Sequence, residues 1–488
     1  MSSNWPQVTL REAGVTLIDC DHKTPKAQDQ GLPYVGIPQL KDGRISLEGA
    51  RLISEDDFHK WRRKAKPQSD DVILSRRCNP GESAYVPEGL EIALGQNLVL
   101  LRSDGSGVYP PFLRWLTQGP YWWSQVSTFL NVGAVFDSLK CADIPKFKVP
   151  LPPLRVQQNI ANILSKLDDK IQLNYQLNQT LEQIAQAIFK SWFVDFEPVK
   201  AKIAARERWY ALQSGNESAS PACYAGELAS QPINIDLDTY MNHAAMQAIS
   251  GKDAEQLALM QVEKPEEYAE LYATAELFPS AMQDSELGEI PEGWECLSLD
   301  AIASYQNGLA LQKYRPENED EYLPIVKIAQ LKKGIADAQE KASPHIKPDF
   351  IIDDGDVVFS WSGSLMVDTW CGGKAALNQH LFKVTSKSYP KWLYYYFTKH
   401  HLDEFQRIAA AKAVTMGHIK REHLKLALCA VPKIDLITKA NPIVGTLLDK
   451  QISVRLESSN LTLLRDTLLP KLLSGELSVA DIDSEVEA

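Results

Sequence analysis

The sequence has few cysteines, and they follow no pattern. They are odd in number, lie far apart and never form a CxxC pair: Cys20, Cys78, Cys141, Cys223, Cys296, Cys371 and Cys429. This scatter argues against a disulfide framework and against a zinc knuckle. No run approaches the eighteen apolar residues of a membrane span, and the opening MSSNWPQVTLREAGV has neither the charged nor the apolar region of a signal peptide. We therefore expect a cytoplasmic protein.

Motifs of common enzyme chemistry are also missing. The tetrapeptide CNPG at Cys78 lacks the second proline and the aromatic residue of the Asn/Asp-Pro-Pro-aromatic motif of amino-methyltransferases. The segment CGGKAA at Cys371 is not a phosphate loop, because no glycine precedes it at the required spacing and no Ser or Thr follows the lysine. Four histidines cluster loosely, without a Cys or carboxylate at ligand spacing: His400, His401, His418 and His423. We predict a non-catalytic chain without a metal site.

The charge of the chain is concentrated in one segment. The 488 residues, 44% of them hydrophobic, are enough for about three domains with sizeable cores. Residues 211–290 contain two basic residues and fourteen acidic ones, so their net charge of −12 equals that of the whole chain. The other residues sum to zero, and a DNA-binding surface is therefore compatible with the overall acidity.

The chain repeats itself, and the repeat indicates its domain plan. Four blocks recur in the same order at offsets that drift from 291 to 280 residues. The pairs are LPYVGIPQL at Leu32 with LPIVKIAQL at Leu323, DVILSR at Asp71 with DVVFSW at Asp356, LGQNL at Leu94 with LNQHL at Leu377, and VYPPFLRWL at Val108 with SYPKWLYYY at Ser388. A helical stretch closes each half. We predict the order globular domain, helix, globular domain, helix.

Both globular parts mix strand and helix signals. The runs DVILS, NLVLL, DVVFS and HLFKV, bounded by Gly, Pro and Asp, are typical of strands. The runs PPFLRWLTQ and PKWLYYYFTKHHLDEFQRIA favour helices. We predict the α+β class, with a modest sheet in each part that is mixed or mostly antiparallel.

The first helical stretch contains a heptad seam with a polar centre. Its members alternate at spacings of four and three: Ile160, Leu164, Leu167, Ile171, Asn174, Asn178, Leu181, Ala185, Ile188 and Trp192. An asparagine in such a seam reduces stability but fixes register and orientation. The second stretch has Leu447, Val454, Leu461 and Leu468 seven apart and also becomes polar halfway along, at 458–460.

Antiparallel pairing of the two stretches would place one polar centre against the other. We therefore predict an antiparallel coiled coil with pseudo-two-fold symmetry, in which Leu164 to Trp192 spans about 42 Å, a little more than one turn of B-DNA. Such a pair could hold two recognition domains over successive major grooves. The alternative is that each helix packs only on its own globular domain.

Several phrases of the sequence resemble one family. They are VPLPPLRVQQNIANILSKLDDKI, LEQIAQAIFKSWFVDFEPVKAK, DSELGEIPEGW at Asp284 and LRDTLLPKLLSGEL at Leu464. In this order, and over almost the whole chain, they resemble the specificity subunit of Type I restriction-modification enzymes. The resemblance implies two target recognition domains, each reading one half of a split double-stranded DNA sequence.

The resemblance also implies the partners. Two helical regions would hold the domains apart and dock two methyltransferase subunits, through which restriction and translocase subunits attach. Adenine methylation and S-adenosylmethionine would belong to the methyltransferase subunits, and this chain would bind no cofactor. We expect domains at 1–150 (first recognition domain), 151–210 (central helical spacer), 211–285 (acidic helical insertion or linker), 286–432 (second recognition domain) and 433–488 (C-terminal helical spacer).

The candidate DNA-binding residues lie where basic and small polar residues interrupt a strand pattern. Arginine suits guanine, Asn and Gln suit adenine, and Lys and Ser mainly contact phosphate. The candidates in the first half are Arg62, Arg63, Lys64, Ser75, Arg76 and Arg77. Those in the second half are Ser360, Trp361, Ser362, Lys412, Thr415, His418, Lys420 and Arg421. A solvated surface charge is the competing interpretation of each basic residue.

The resemblance implies that two places lie near DNA. One is the strand followed by S-R-x-G-like residues, and the other is the Gly-rich loop before the final helix. Arg76 and Arg77 match the first place in one half, whereas Ser360, Trp361 and Ser362 occupy it in the other without an arginine, so the half-sites should differ. The segments FLNVGAVFDSLK at Phe129 and AAKAVTMGHIKREH at Ala410 are the corresponding loops.

Other interpretations stay open from the sequence. The acidic, alanine-rich segment is either a solvated linker or a surface that contacts a basic face of a partner. The chain as a whole could be a specificity subunit of another phage-defence assembly, a DNA methyltransferase itself, or a protein-binding scaffold without steep salt dependence.

Overall fold

The structure is a computed structural model that describes residues 5–21, 23–133, 136–213, 235–318, 320–411 and 417–478. The chain divides into two compact units, Met1–Gln172 with Asn460–Ala488, and Leu173–Ser459. No helix among the described residues is long and apolar enough to cross a membrane. Each unit contains one copy of the repeat.

The described part of the first unit has short strands and three α-helices of its own. The strands are β1 (Gln7–Thr9), β2 (Val15–Asp19), β3 (Leu32–Val35), β4 (Leu40–Lys41), β5 (Arg44–Ile45), β6 (Arg51–Ile53), β7 (Val72–Ser75), β8 (Ser83–Tyr85), β9 (Ala93–Leu94), β10 (Leu98–Ser103) and β11 (Lys148–Pro150). The helices are α1 (Glu55–Trp61), α2 (Pro110–Leu116) and α3 (Pro120–Phe129).

Two long helices cross the division between the units. Helix α4 (Leu154–Phe193) supplies its first half to the first unit and its second half to the second, and α15 (Thr446–Ser474) is divided in the reverse order. A π-helical stretch, Asn441–Gly445, leads into α15.

The second unit has more helices. They are α5 (Glu197–Gln213), α6 (Leu237–Ser250), α7 (Ala254–Glu263), α8 (Pro265–Glu276), α9 (Leu299–Ile302), α10 (Ile328–Lys333), α11 (Lys391–His400), α12 (Leu402–Ala411), α13 (Arg421–Leu426) and α14 (Ile434–Ala440). The strands are β12 (Met282–Ser285), β13 (Gly288–Pro291), β14 (Glu295–Ser298), β15 (Ser304–Asn307), β16 (Leu323–Val326), β17 (Lys341–Ala342), β18 (Ile351–Ile352), β19 (Val357–Ser360), β20 (Met366–Thr369), β21 (Ala375–Leu377), β22 (Leu381–Thr385) and β23 (Leu428–Val431).

The strand order confirms the repeat. The first unit has a four-stranded antiparallel sheet in the order β2-β10-β7-β8, and the second has β15-β22-β19-β20. A smaller mixed sheet accompanies each, with β3 parallel to β9 in one and β16 parallel to β21 in the other. The predicted α+β class with tandem domains is therefore confirmed.

One predicted helix is two helices. The run PKWLYYYFTKHHLDEFQRIA forms α11 and α12, with a break at His401. The His401 ring is buried and its Nε2 lies 3.0 Å from the carbonyl oxygen of Leu428 on β23. Burial is the main reason that the pKa of this histidine is lowered. A tertiary contact thus fixes the break, and no Pro or Gly marks it in the sequence.

The seam of α4 faces inward over its whole length. All ten of its predicted members are buried or half-buried. In the first unit Arg465 of α15 contacts Asp168 of α4, and in the second unit Glu457 contacts Asn174. Residue numbers therefore rise along one helix while they fall along the other, which is the antiparallel pairing.

The seam of α15 is more polar than its seven-residue spacing indicated. Between the predicted Leu447, Val454, Leu461 and Leu468 lie Gln451, Ser458 and Arg465, and these seven positions alternate at spacings of four and three. Gln451 and Ser458 are buried. Gln451 donates to the Tyr396 hydroxyl at 3.3 Å, and the Ser458 hydroxyl donates to the carbonyl of Val454 at 2.9 Å.

A buried ion cluster in the first unit joins the two long helices to strand β5 and helix α2. Asp168 of α4 accepts from Arg44 Nη2 at 2.6 Å, from Arg465 Nη1 at 2.9 Å and from Arg114. The Arg114 guanidinium also lies 3.6 Å from the centroid of the Tyr85 ring. Burial alone would raise the pKa of the Asp168 carboxyl, but the three arginine charges outweigh it and hold this pKa below its usual value.

Helices α5 to α8 pack on the rest of the second unit. Lys202 of α5 is buried, and its Nζ donates to the carbonyl of Phe278 at 2.7 Å. This burial lowers the pKa of Lys202 to about 8. Lys439 of α14 pairs with Glu270 of α8 at 2.9 Å. Residues 214–234 lie outside the described part of the chain.

Candidate nucleic-acid interface

In each four-stranded sheet, one of the two central strands ends at the candidate surface. In the first unit this strand is β7, and Asp71 before it accepts from Arg102 Nε and Nη2 of β10 at 2.8 and 2.6 Å. In the second unit it is β19, and Asp356 before it pairs with Lys383 of β22 at 2.8 Å. Both strands are buried along their length. The repeat therefore fixes the start of this strand with the same kind of ion pair in both units.

A buried serine ends each strand and shapes the turn that follows. The Ser75 hydroxyl donates to the carbonyl of Arg77 at 2.9 Å, and the Ser360 hydroxyl donates to the carbonyl of Ser362 at 3.1 Å. Neither serine is accessible to solvent. Both therefore hold the turn, whereas Arg77 and the residues beyond it reach the surface.

The third turn residue has the same left-handed backbone in both units. Cys78 has φ 66° and Gly363 has φ 65°. A glycine adopts this conformation freely, whereas an L side chain there costs about 1–2 kcal/mol. The first unit keeps the turn even with a cysteine in this position, because the serine and the neighbouring loop determine its geometry.

A second loop pairs with each turn, and in both units it belongs to the segment that the sequence identified as the corresponding loop. In the first unit Leu139 N donates to the carbonyl of Arg76 at 2.9 Å, and Ser138 bridges Arg77. In the second unit Ile419 N donates to the carbonyl of Trp361 at 3.0 Å. The structure therefore brings the predicted strand end and the predicted loop together twice. Lys412 and Thr415 lie outside the described residues.

The two adjacent arginines of the first turn differ in exposure. Arg76 is half-buried, and its Nη1 donates to the carbonyl of Leu139 at 3.2 Å. Its Nε is buried without a hydrogen-bond partner among the described residues. Arg77 is exposed. Only Arg77 of this pair can turn its guanidinium towards a ligand without leaving a contact within the turn.

The basic residues of the run at 61–66 differ in how far they are available to bind DNA. Arg62 lies 3.1 Å from Glu91, and its guanidinium stacks 4.7 Å from the centroid of Phe58, so it is part of the fold. Arg63 is exposed. Lys64 donates to the carbonyl of Cys20 at 3.1 Å while about half of its side chain remains exposed.

Lys64 and Arg76 belong to one neighbourhood despite their separation in sequence. Burial raises the pKa of the Cys20 thiol to about 11, with Asp19 adding to the rise, while the charges of Arg76 and Lys64 oppose it. Among the candidate arginines of the first unit, Arg63 and Arg77 are the exposed ones, whereas Arg62 and Arg76 are engaged within the fold.

The second unit presents aromatic groups where the first presents arginines. Trp361 packs with ring-centroid distances of 5.8 Å to His380, 5.9 Å to Phe382 and 6.3 Å to His418. Ser362 is buried, and its hydroxyl lies 3.1 Å from His380 Nδ1. Ser362 also bridges His418, which is exposed.

Two more cations flank this aromatic group. Lys420 is exposed and lies 3.6 Å from Glu422. Arg421 is also exposed, donates to the carbonyl of Tyr305 and to Asn307 Oδ1 at 3.1 and 2.9 Å, and stacks over Phe382. Among the residues that the structure describes, the second surface therefore has fewer free cations and more ring surface than the first.

The described residues hold no group of three or more His, Cys, Asp or Glu side chains placed to bind a metal ion. His400 and His401 are adjacent, and burial lowers the pKa of both imidazoles. The chemistry that these surfaces offer is hydrogen bonding, charge and stacking.

Sequence reasoning missed two apolar residues beside Arg77. Val132 and Phe136 have 83% and 59% of their surface exposed. Both belong to the segment FLNVGAVFDSLK, which the sequence predicted to be a loop. They were not among the predicted DNA-binding residues, because those were chosen for charge and small polar side chains. The signal was present as large apolar residues in a loop, where neither a helix nor a strand would bury them.

The comparisons with known proteins agree with one another. The family model described as type I restriction modification DNA specificity domain matches residues 15–183 and 291–434, one match in each repeat and together more than half of the chain. The specificity subunit of the type I restriction enzyme HindI from Haemophilus influenzae is 28% identical over 440 residues, which cover 85% of this chain and 88% of that protein.

Two further proteins are more distant. The MjaIX specificity subunit of Methanocaldococcus jannaschii is 22% identical over 441 residues, covering 89% of this chain and 83% of that one. The crystal structure of the S subunit of a type I restriction-modification system from M. genitalium aligns over 96% of both chains, with 14% identity and a TM-score of 0.46.

Proposed function

The chain belongs to the family of type I restriction modification DNA specificity domains, and from this we propose that its two domains bind the two unequal halves of a split DNA target. In such systems the specificity subunit recognises DNA and is not itself catalytic, and methylation and cleavage belong to the modification and restriction subunits. The function of this chain is therefore DNA sequence recognition within such a complex.

One observation carries the proposal of unequal halves. The two units share a buried serine, a left-handed turn and a paired loop, yet Arg76 and Arg77 in one turn are replaced by Trp361 and Ser362 in the other. Arginine favours guanine, whereas a Trp–His surface favours stacking and apolar contact. Two different surfaces on one framework support an asymmetric, bipartite target.

The individual contacts follow from exposure. We assign DNA contact to Arg63, Arg77, His418 and Lys420, which are exposed, and positioning to Ser75, Arg76, Ser360 and Ser362. Arg62 has a structural role, because Glu91 and Phe58 occupy its guanidinium. Arg421 can reach a phosphate only by leaving Asn307 and the Tyr305 carbonyl.

We assign to the long helices the docking of two methyltransferase subunits. Helix α4 exposes Leu173, Leu177 and Ile184 within the second unit, and α15 exposes Leu463 and Leu464 within the first. Exposed leucines on helices whose seams are already filled are suited to a protein partner. S-adenosylmethionine would be bound by those subunits, and restriction subunits would attach through them.

The acidic segment has a different role in this scheme. Helices α6 to α8 hold most of its described charge, and the field of this charge repels phosphate. We propose that the segment faces away from DNA within the complex and contacts a basic partner surface.

The test is co-expression of the chain with the methyltransferase subunits encoded near it, in the cytoplasm of a host cell. Single-molecule sequencing then locates N6-methyladenine in the host DNA. A motif with two unequal halves and a fixed gap is expected only when this chain is present. The methyltransferase subunits expressed alone are the control. A complex that forms but methylates no split motif would contradict the proposal and favour another defence assembly or a scaffold.

A further inference from the structure

Two exposed apolar residues, Val132 and Phe136 (the apolar tip), lie in the segments 131–133 and 136–138, which pair with the turn that carries the exposed Arg77. Val132 is 83% exposed and Phe136 is 59% exposed. Isolated apolar residues on a surface are common, but here two lie within five residues on a loop that pairs with the Arg77 turn. This position requires an explanation, because the described residues leave most of the surface of both side chains exposed.

The base of this loop is firmly held. Asn131 N donates to the Ser138 carbonyl at 2.9 Å, and Ser138 N donates back to the Asn131 carbonyl at 3.0 Å. Phe129, just before the loop, stacks on Phe147 with a centroid distance of 5.2 Å. Leu139, just after it, is buried. The apolar tip is therefore presented from a fixed base on both sides.

A glycine allows the two sides of the tip to approach closely. A Cβ atom on Gly133 would lie 2.4 Å from the carbonyl oxygen of Phe136, a distance that no side chain could tolerate. The close approach holds the backbone of Phe136 beside that of Gly133. Residues 134 and 135 lie outside the described part of the chain.

We propose that Val132 and Phe136 contact base edges of the first half-site through their apolar surfaces, and so determine its sequence together with Arg77. The inference rests on the proposed DNA-recognition function. Apolar side chains gain nothing from phosphates, but they contact the thymine methyl group in the major groove or a base step that has opened. Arg77 at the same edge supplies the charge that brings the loop to the duplex.

The experiment uses the full chain in complex with its methyltransferase subunits. Phe136→Ser and Val132→Ser remove the apolar surface, and Phe136→Leu retains it. Ile434→Ser on α14 is the control, because Ile434 is also apolar and is 60% exposed but lies in neither candidate DNA surface nor a proposed docking surface. Methylated motifs are sequenced for each variant, and duplex affinity is measured as a function of salt.

The serine variants should relax the motif at one or two positions of one half and leave the other half unchanged. Discrimination against the wrong base pair at those positions should fall about tenfold, within the range of a single mismatched contact. The slope of affinity against salt should stay constant because no phosphate contact is lost. Phe136→Leu and Ile434→Ser should keep the wild-type motif.

A second measurement identifies the contact. Replacing each thymine of the relaxed positions by uracil should weaken wild-type binding and leave Phe136→Ser unaffected if the methyl group is touched. If a base step is opened instead, the fluorescence of 2-aminopurine placed at that step should increase when the wild type binds, but not when Phe136→Ser binds. Either result supports apolar contact with bases.

The outcomes separate this inference from the function on which it rests. A wild-type complex that methylates a split motif, with serine variants that methylate the same motif at the same rate, would overturn the inference alone. Serine variants that lower affinity for all sequences equally would also overturn it. A wild-type complex without any split motif would instead remove the proposed function.

Discussion

Individual side chains show what the sequence could predict of the site and what it could not. It placed Arg76 and Arg77 correctly after a strand, because basic residues interrupt an apolar run there, but Arg62 ends helix α1 and follows no strand. It could not distinguish the free arginine from the occupied ones. Arg62 is engaged by Glu91 and Arg76 by Leu139, and these partners come from segments 29 and 63 residues away.

Asp168 makes the clearest prediction for a single residue. Asp168→Asn should destabilise the first unit by about 3 kcal/mol, because it leaves three arginines around a neutral, buried group. Asp169→Asn is the matched control. Its carboxylate is 72% exposed and lies 3.8 Å from Arg44, so its loss should cost well under about 1 kcal/mol. The measurement is urea unfolding at neutral pH.

The pH dependence of this effect follows from the lowered pKa of Asp168. A carboxylate with a lowered folded pKa contributes stability that is fully present above its unfolded pKa of about 3.9 and is lost as pH falls through the folded value. The gap between wild type and Asp168→Asn should therefore be constant from pH 7 to about pH 5 and close in stronger acid. A gap that widens in acid would contradict the ion cluster.

Among the elements, those with a strong local pattern were predicted and those set by distant contacts were not. Strands β7, β10, β19 and β22 follow apolar runs bounded by turn residues. The break between α11 and α12 depends on a contact of His401 with β23 and has no local signal. The seam of α15 was only half visible, because Gln451, Ser458 and Arg465 occupy its alternate positions and resemble surface residues in sequence.

The asparagines of α4 give a prediction for this element. Asn174 donates to Glu457 Oε2 at 2.9 Å, whereas Asn178 Oδ1 is buried without a partner among the described residues. Asn178→Leu should therefore raise the melting temperature more than Asn174→Leu, which also removes a hydrogen bond. The double variant should be more stable than wild type but prone to self-association, which sedimentation velocity would detect. Unchanged melting and a single unaltered species would exclude both residues from the seam.

For the whole molecule, internal repetition was the most informative feature of the sequence. Four short blocks in register predicted two domains of one topology, and the sheets confirm it. The sequence could not predict that Ser75 and Ser360 hold equivalent turns. Their bonds run from side chain to backbone within three residues, and such serines occur in many other settings.

The spacing role of the helices stays a prediction, and deletion tests it. Removing Ile171–Leu177 from α4 and Leu456–Thr462 from α15 takes one heptad from each. The deletion spares Asp168 and Arg465, and also Arg455, which pairs with Asp368 of β20 at 2.8 Å. The helices should shorten by about 10 Å, and the gap in the methylated motif by about three base pairs. An insertion of one heptad in each helix is the control with the opposite sign. A shortened chain that still methylates at the original gap would rule out this role.

The buried serine turn also bears on how such a chain changes over generations. Ser75 and Ser360 keep the same backbone beneath a cysteine-containing, arginine-rich turn and a glycine-containing, aromatic one. Substitutions beyond the serine therefore alter the surface with little effect on folding. Mutations in one turn can therefore change the DNA sequence that one domain recognises while the other domain stays the same. For the same reason, these turns could be exchanged between chains by protein engineering without altering the scaffold.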